Sequence, residues 1–326
     1  MTTRRGAIKL TSAALVSGAA FSMSGCRDTN RLRNWTGTAM GAPASIKIRA
    51  PLDLDSKKLV PAGITLAQRI EYVASLYIEN SHISFLNQHG LINPASPHLI
   101  NMINSARKVS ESTNGAFDIT VQPLWELARA METLEHDQAT ADALWAEARA
   151  KVDYRAIEIE GQMVRFTKPG MKITLNGIAQ GYVTEQVSTL LQSRGVKHGL
   201  INFGEYKGFG KNTNGKPWRV GIQNPVNVLE ALDVIDLRDQ AVATSAAGAG
   251  YVSEQISHIF DARSGRPIGS KPAFASASVI HPSATLADAY ATAFTLMDED
   301  HIRRICKTQK GMRAILVRQD AEMVRI

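Results

Sequence analysis

Cysteine is almost absent: Cys26 and Cys306 are the only two in 326 residues. With Cys26 at the end of an N-terminal leader, the rest of the chain holds neither a disulfide framework nor a cysteine-based metal centre. HExxH, CxxC, a GxxxxGK[ST] loop, GxGxxG and GxSxG are all missing. Zinc proteases, thiol redox enzymes, Walker nucleotidases, Rossmann enzymes and α/β-hydrolases are disfavoured accordingly. No repeat at a fixed period and no low-complexity block occurs, which argues against a solenoid or a disordered chain. The formal charge of +7 is scattered and never forms a Lys/Arg run interleaved with aromatics, so nucleic-acid binding is disfavoured as well.

What remains is an ordinary globular composition, 44% apolar and 21% charged. The length exceeds that of a typical single domain, yet no shift in composition marks a second one. Arg4, Arg5 and Lys9 precede a weakly apolar stretch, Leu10 to Met23, that is too short to span a bilayer and reads as a signal-peptide core. The arginine pair resembles a twin-arginine export signal, and Met23-Ser24-Gly25-Cys26 resembles a lipobox that would lipidate Cys26. Loss of the leader's three cationic residues lowers the charge to about +4. Residues 1–26 are thus expected to be an export signal and 27–34 a polar tether, with a folded domain over 35–326.

Apolar spacing predicts a strand over 35–50 and helices over 66–80, 97–112 and 138–151, the last capped by Thr140. Short strands over 163–167 and 171–175 are expected to flank a break at Pro169-Gly170. A helix over 177–194 follows, then strands over 199–203, 218–222, 232–237, 241–244 and 274–280. Helices over 284–297 and 300–308 and a closing strand pair, 313–317 and 323–326, end the chain. Helices segregate from runs of strands, so the expected class is α+β: one large domain of mixed or antiparallel sheets with helices.

Four segments carry residues suited to chemistry. On a helix, Asp288 and Thr292 are four apart and share a face, a carboxylate and a hydroxyl of the hard-oxygen kind that Mg²⁺ prefers. Taken alone, that pair reads better as a Thr bonded to its own helix beside an exposed acid. The strand-to-helix turn Thr174-Leu175-Asn176-Gly177-Ile178-Ala179-Gln180-Gly181-Tyr182 offers helix N-terminal amides to an anion, a weak signal that many such turns share. Asp118, between the Asn114-Gly115 turn and an alternating segment, reads as a cap or a ligand acceptor. His258 lies three residues before Asp261 and a Gly/Pro turn, and His is the usual general base near neutral pH.

Taken in order, these segments resemble the periplasmic FAD:protein FMN transferases, the ApbE family. The matches run from Met40-Gly41 through Ser81-His82-Ile83-Ser84-Phe85-Leu86-Asn87, Gly115 to Val121, the 174–182 turn, Trp218, Ala243-Thr244-Ser245 and His258 to the Ala287-Asp288-Ala289 helix. Each is weak singly; their order is specific and covers about residues 35–300. The resemblance implies Mg²⁺ held by the Gly177 carbonyl, Asp288 and Thr292. It implies FAD contacts from Met40, Ala116, Phe117, Asp118, Thr174, Gln180, His258 and Ile259. It further implies transfer of FMN from FAD to a Thr or Ser hydroxyl of an exported electron-transfer protein with an FMN-binding domain, and release of AMP. His258, or less well Asp261, is the candidate base. The Leu-Asn-Gly-Ile-Ala-Gln-Gly-Tyr form resembles the branch associated with nitrous-oxide respiration. The chain departs from the family pattern at Ala42, at Thr174 where Asp is common, and at Gln180 where Lys or Glu is common. The expected location is periplasmic, on a lipid-anchored protein. The alternatives are a non-catalytic FAD-binding accessory lipoprotein and a FAD pyrophosphatase.

Overall fold

The computed structural model describes residues 30–51, 56–133, 137–225, 227, 229–248, 256–269 and 272–326; the arginine pair, the apolar leader and Cys26 lie outside the described residues. Ala44, Ile46, Ile48 and Ala50 alternate with Ser45, Lys47 and Arg49, and the apolar set is buried, as a half-covered strand requires. That strand is the second of two. β1 (Asn30–Ala39) and β2 (Ala42–Pro51) form a hairpin through Met40 and Gly41, in place of the single strand expected over 35–50. Both turn residues take positive φ, 54° and 72°, the signature of a two-residue turn whose twist matches paired strands. Because β1 begins at Asn30, residues 30–34 of the expected tether pair with β2.

The chain continues through α1 (Ser56–Ala74), α2 (His82–His89), β3 (Leu91–Ile92), α3 (Pro97–Ser112), α4 (Gln122–Met131) and α5 (Gln138–Ala150). Next come β4 (Ile157–Glu160), β5 (Met163–Phe166), α6 (Ala179–Ser193), β6 (His198–Phe203), β7 (Tyr206–Phe209), β8 (Trp218–Gln223), β9 (Ala231–Leu237) and β10 (Gln240–Ala246). The short pair β11 (Phe260–Asp261) and β12 (Arg266–Pro267) precedes β13 (Ser276–His281), α7 (Ala284–Phe294), α8 (Glu299–Thr308), β14 (Arg313–Val317) and β15 (Met323–Arg325). The principal sheet has eight strands in the order β1-β2-β6-β7-β10-β13-β14-β15, every neighbour antiparallel. This is a single α+β domain, as expected.

Strand residues alternate between two cores. Ile201, Phe203, Ala243, Ala277 and Val279 join α1, α3, α6 and α7 on one face. Leu200, Val242 and Ile280 join Trp218, Val220, Ile222, Ile235 and Leu237 of the β8–β9 hairpin on the other. Strands β6 and β13 are therefore buried along nearly their whole length, the polar Asn202, Ser276, Ser278 and His281 included.

Two expectations fail for identifiable reasons. The hairpin of the small sheet turns at Gly161, with φ of 60°, joining β4 to β5; no hairpin forms at Pro169-Gly170. Residues 171–175 are extended without a strand partner because the Asn87 side chain takes that place. Its Nδ2 donates to Ile173 O at 2.8 Å, and Ile173 N donates to its Oδ1 at 2.7 Å. The helix over 138–151 is capped by Asp137, whose Oδ1 accepts from Thr140 N at 2.7 Å, so Thr140 lies inside the first turn.

Phe294, fully buried against the sheet, anchors the helical core. Phe294→Ala is expected to cost roughly 3–5 kcal/mol by leaving a cavity. Urea titration should show a lower midpoint at an unchanged slope.

Candidate functional site

Helices α6 and α7 cross where Gly181 has no side chain. A Cβ there would lie 2.3 Å from Ala284 O and 2.6 Å from Asp288 Cβ, so only glycine admits this approach. The contact brings Asp288 to the start of α6, where its Oδ2 accepts from Gly181 N at 2.8 Å. The anion expected at this helix N-terminus is thus a carboxylate of the chain itself. Ala179 N and Tyr182 N bond to Leu175 O and Ile178 O, which leaves little of the first turn for a pyrophosphate.

Asp288 is 5% exposed and is the only charged residue in α7, set among Ala284, Ala287, Ala289, Ala291 and Phe294. Burial raises its pKa to about 7, against the lowering effect of the Gly181 amide. Thr292 follows one turn later on the same face. Its Oγ1 lies 3.1 Å from Ser245 Oγ on β10, and 3.1 Å from where a Gly177 Cβ would sit. Phe117 Cε2 packs against that same point of Gly177 at 3.2 Å. The turn before α6 and the α7 helix therefore meet, Thr292 against Gly177 and Asp288 against Gly181. Every candidate ligand is a hard oxygen, a donor set that suits Mg²⁺ and lacks the nitrogen or sulfur that zinc prefers.

The hairpin tip reaches the same place. Gln180 Nε2 donates to Met40 O at 3.4 Å, and the Gln180 side chain lies over Gly204, whose φ of 103° and absent Cβ make room for it. Thr174 is held by its own amide on Ile119 O at 2.7 Å, and its Oγ1 accepts from Asn176 N. Ala116, Phe117 and Asp118 are buried. The Asp118 carboxylate accepts from Thr120 N and Oγ1 through Oδ1 and from Tyr154 N through Oδ2, so it caps the 119–121 turn as its position suggested. Burial pushes its pKa up, against the lowering effect of those bonds.

His258 is exposed and follows Ser257, whose Oγ donates to Ala247 O just past β10. Ser257 thus ties the residue before His258 to the end of the strand that carries Ser245. Ile259 is buried, with its amide on Ser257 Oγ. Asp261 is doubly held by Arg263, at 2.9 Å to Nε and 2.8 Å to Nη2. A carboxylate so paired suits a turn anchor better than a base.

Sequence reading passed over one acid. Glu205, in the turn between β6 and β7, is 9% exposed, and its pKa is pushed well up by burial and then by the charge of Asp288. Its Oε2 accepts from Thr244 N at 3.1 Å, next to Ser245. A lone acid behind a glycine in the largely apolar segment Gly199 to Phe209, whose other polar side chains are Asn202, Tyr206 and Lys207, was the available signal.

The ApbE family model matches residues 40–316. The chain belongs to the ApbE family. It is 28% identical over 306 residues to a FAD:protein FMN transferase of Vibrio cholerae, covering 91% of each chain. A Haemophilus influenzae protein of the same description is 26% identical, over 96% of this chain and 94% of its own. Among solved structures, the Vibrio cholerae flavin transferase ApbE superposes with a TM-score of 0.77 at 26% identity, covering 91% of this chain and 97% of its own. The apo form of the Pseudomonas stutzeri flavinyl transferase ApbE gives 0.77 at 25%, covering 91% and 94%. This family member is accordingly an enzyme of the FAD:protein FMN transferase type, and its chemistry is transfer of FMN from FAD to a protein.

Because a methyl group at position 181 collides with the α7 backbone, Gly181→Ala is expected to cost about 1–3 kcal/mol and to displace Asp288. Thermal unfolding should report the loss of stability. Flavin transfer should fall by more than the loss of folded protein accounts for.

Proposed function

We propose that the chain transfers FMN from FAD, with Mg²⁺ held by the Gly177 carbonyl, Asp288 and Thr292, to a Thr or Ser hydroxyl of an exported electron-transfer protein, and that AMP leaves. The observation that carries this reading is the meeting of the Gly177 turn with α7. It sets a buried carboxylate and two hydroxyls, Thr292 and Ser245, beside one another. When bound, Mg²⁺ supplies positive charge against the oxygens of the breaking pyrophosphate.

The remaining work falls to the chain. Asp288, ionised in the loaded site, sets the charge balance, and the Gly181 amide fixes its orientation. On this reading FAD is contacted by Met40, Thr174, Gln180 and Ile259 and by the Ala116-Phe117-Asp118 stretch. Asp118 works there mainly by holding the 119–121 turn in place. His258 is exposed and next to the pinned Ser257, which suits a group that must reach an incoming hydroxyl and take its proton. Gln180 carries no charge and spends one donor on Met40, so it shapes the site where a charged residue is common in the family. The form of the 174–182 turn supports an acceptor of the kind used in nitrous-oxide respiration, bearing an FMN-binding domain. The leader sequence and Cys26 support export by the twin-arginine route and a lipid anchor at the periplasmic membrane face. No helix among the described residues is long and apolar enough to cross a membrane.

Incubation of the protein with FAD, Mg²⁺ and an acceptor domain should give flavin fluorescence on the acceptor in a denaturing gel. Free FMN and AMP without labelled acceptor would indicate a pyrophosphatase instead. Asp288→Ala should abolish labelling; a fully active variant would overturn the cation assignment. For His258→Ala, transfer should slow by roughly 10²–10⁴-fold, the span of general-base catalysis, while FAD affinity measured by fluorescence quenching changes little.

A further inference from the structure

Glu205 has no part in the ligand set assigned above, yet its placement is hard to explain without one. It is drawn into the fold from three sides. Its backbone carbonyl accepts from Thr184 Oγ1 on α6 at 3.0 Å, and the same hydroxyl accepts from Phe203 N. Its side chain reaches β10, where the Thr244 amide is the only donor to the carboxylate among the described residues. Its predecessor Gly204 lies under Gln180, one residue before the Gly181 that holds Asp288. Asp288 likewise receives one backbone amide, and no Lys, Arg or His among the described residues bonds to either acid.

Two nearly buried carboxyls, held one turn apart against α6 at Thr184 and Gly181, each have a single neutral donor, fewer partners than a buried acid ordinarily has. A divalent cation resolves this in a way that a proton on one acid does not, because it satisfies the free oxygens of both. We propose that Glu205 supplies a second carboxylate to the divalent-cation site, beside that of Asp288. The acid pair then comes from two separately folded elements, the β6–β7 turn and α7, so the ion fastens the sheet to the helix layer. This inference rests on the cation site proposed above and adds one residue to it.

The test is binding of Mn²⁺, in the full chain without FAD, measured from the electron paramagnetic resonance signal of the free ion. Circular dichroism confirms the fold of each variant. Glu205→Gln keeps the shape and the Thr244 contact but removes the charge. It is expected to weaken Mn²⁺ binding about 10–100-fold, the range found when groups around a metal are altered. Glu205→Asp, with a shorter arm, should weaken it by a smaller factor and serves if the Gln variant does not fold. Affinity within twofold of the wild type in the folded Glu205 variants overturns the inference. Asp288→Ala is run alongside. Loss of binding there with retention in the Glu205 variants sinks this inference alone, whereas retention in all of them sinks the cation site as a whole.

Discussion

The site depends on one hydrogen bond across one helix crossing: the Gly181 amide to the Asp288 carboxylate, at 2.8 Å. The bond exists because Gly181 lets α7 approach until the Ala284 carbonyl occupies the space of a side chain. Burial of an acid in an alanine-rich helix is costly, and the amide offsets only part of that cost. The remainder is what the proposed cation would offset.

Much of this arrangement was legible in the sequence. Helix α3 could be read to its end residues because Leu99, Met102, Ile103, Ala106 and Val109 keep helical spacing between Pro97 and the Asn114-Gly115 turn. The Asp288–Thr292 pair could be placed on one helix face, but spacing alone favoured an idle acid; only the ordered series of motifs raised it to a candidate ligand. Met40-Gly41 looked like part of a strand because the turn interrupts the alternation for just two residues, and a methionine at positive φ is not a recognisable turn signal.

What escaped reading was mostly long-range. Helix α4 was hidden because the sequence around Asp118 alternates before it turns helical, and its apolar residues Leu124 and Ala128 bury against Trp145 and Phe260 far along the chain. Glu205 was passed over for the same reason: its meaning comes from β10 and α7, 39 residues or more away. Asp261, by sequence the weaker of two candidate bases, has a purely local partner in Arg263, which its spacing from His258 did not disclose.

The Asn87 clamp ties α2 to the extended segment that leads into α6. One primary amide replaces a whole strand by matching both polar groups of Ile173, and Thr174 and the turn into α6 follow directly after it. Hydrolysis of that amide to a carboxylate would change a single heavy atom, yet it would set an anion against the Ile173 carbonyl. The Gly177 corner would then lose its footing from a site outside the ligand set, so slow chemical ageing of one asparagine is a route by which the enzyme could decline while its oxygen ligands stay intact.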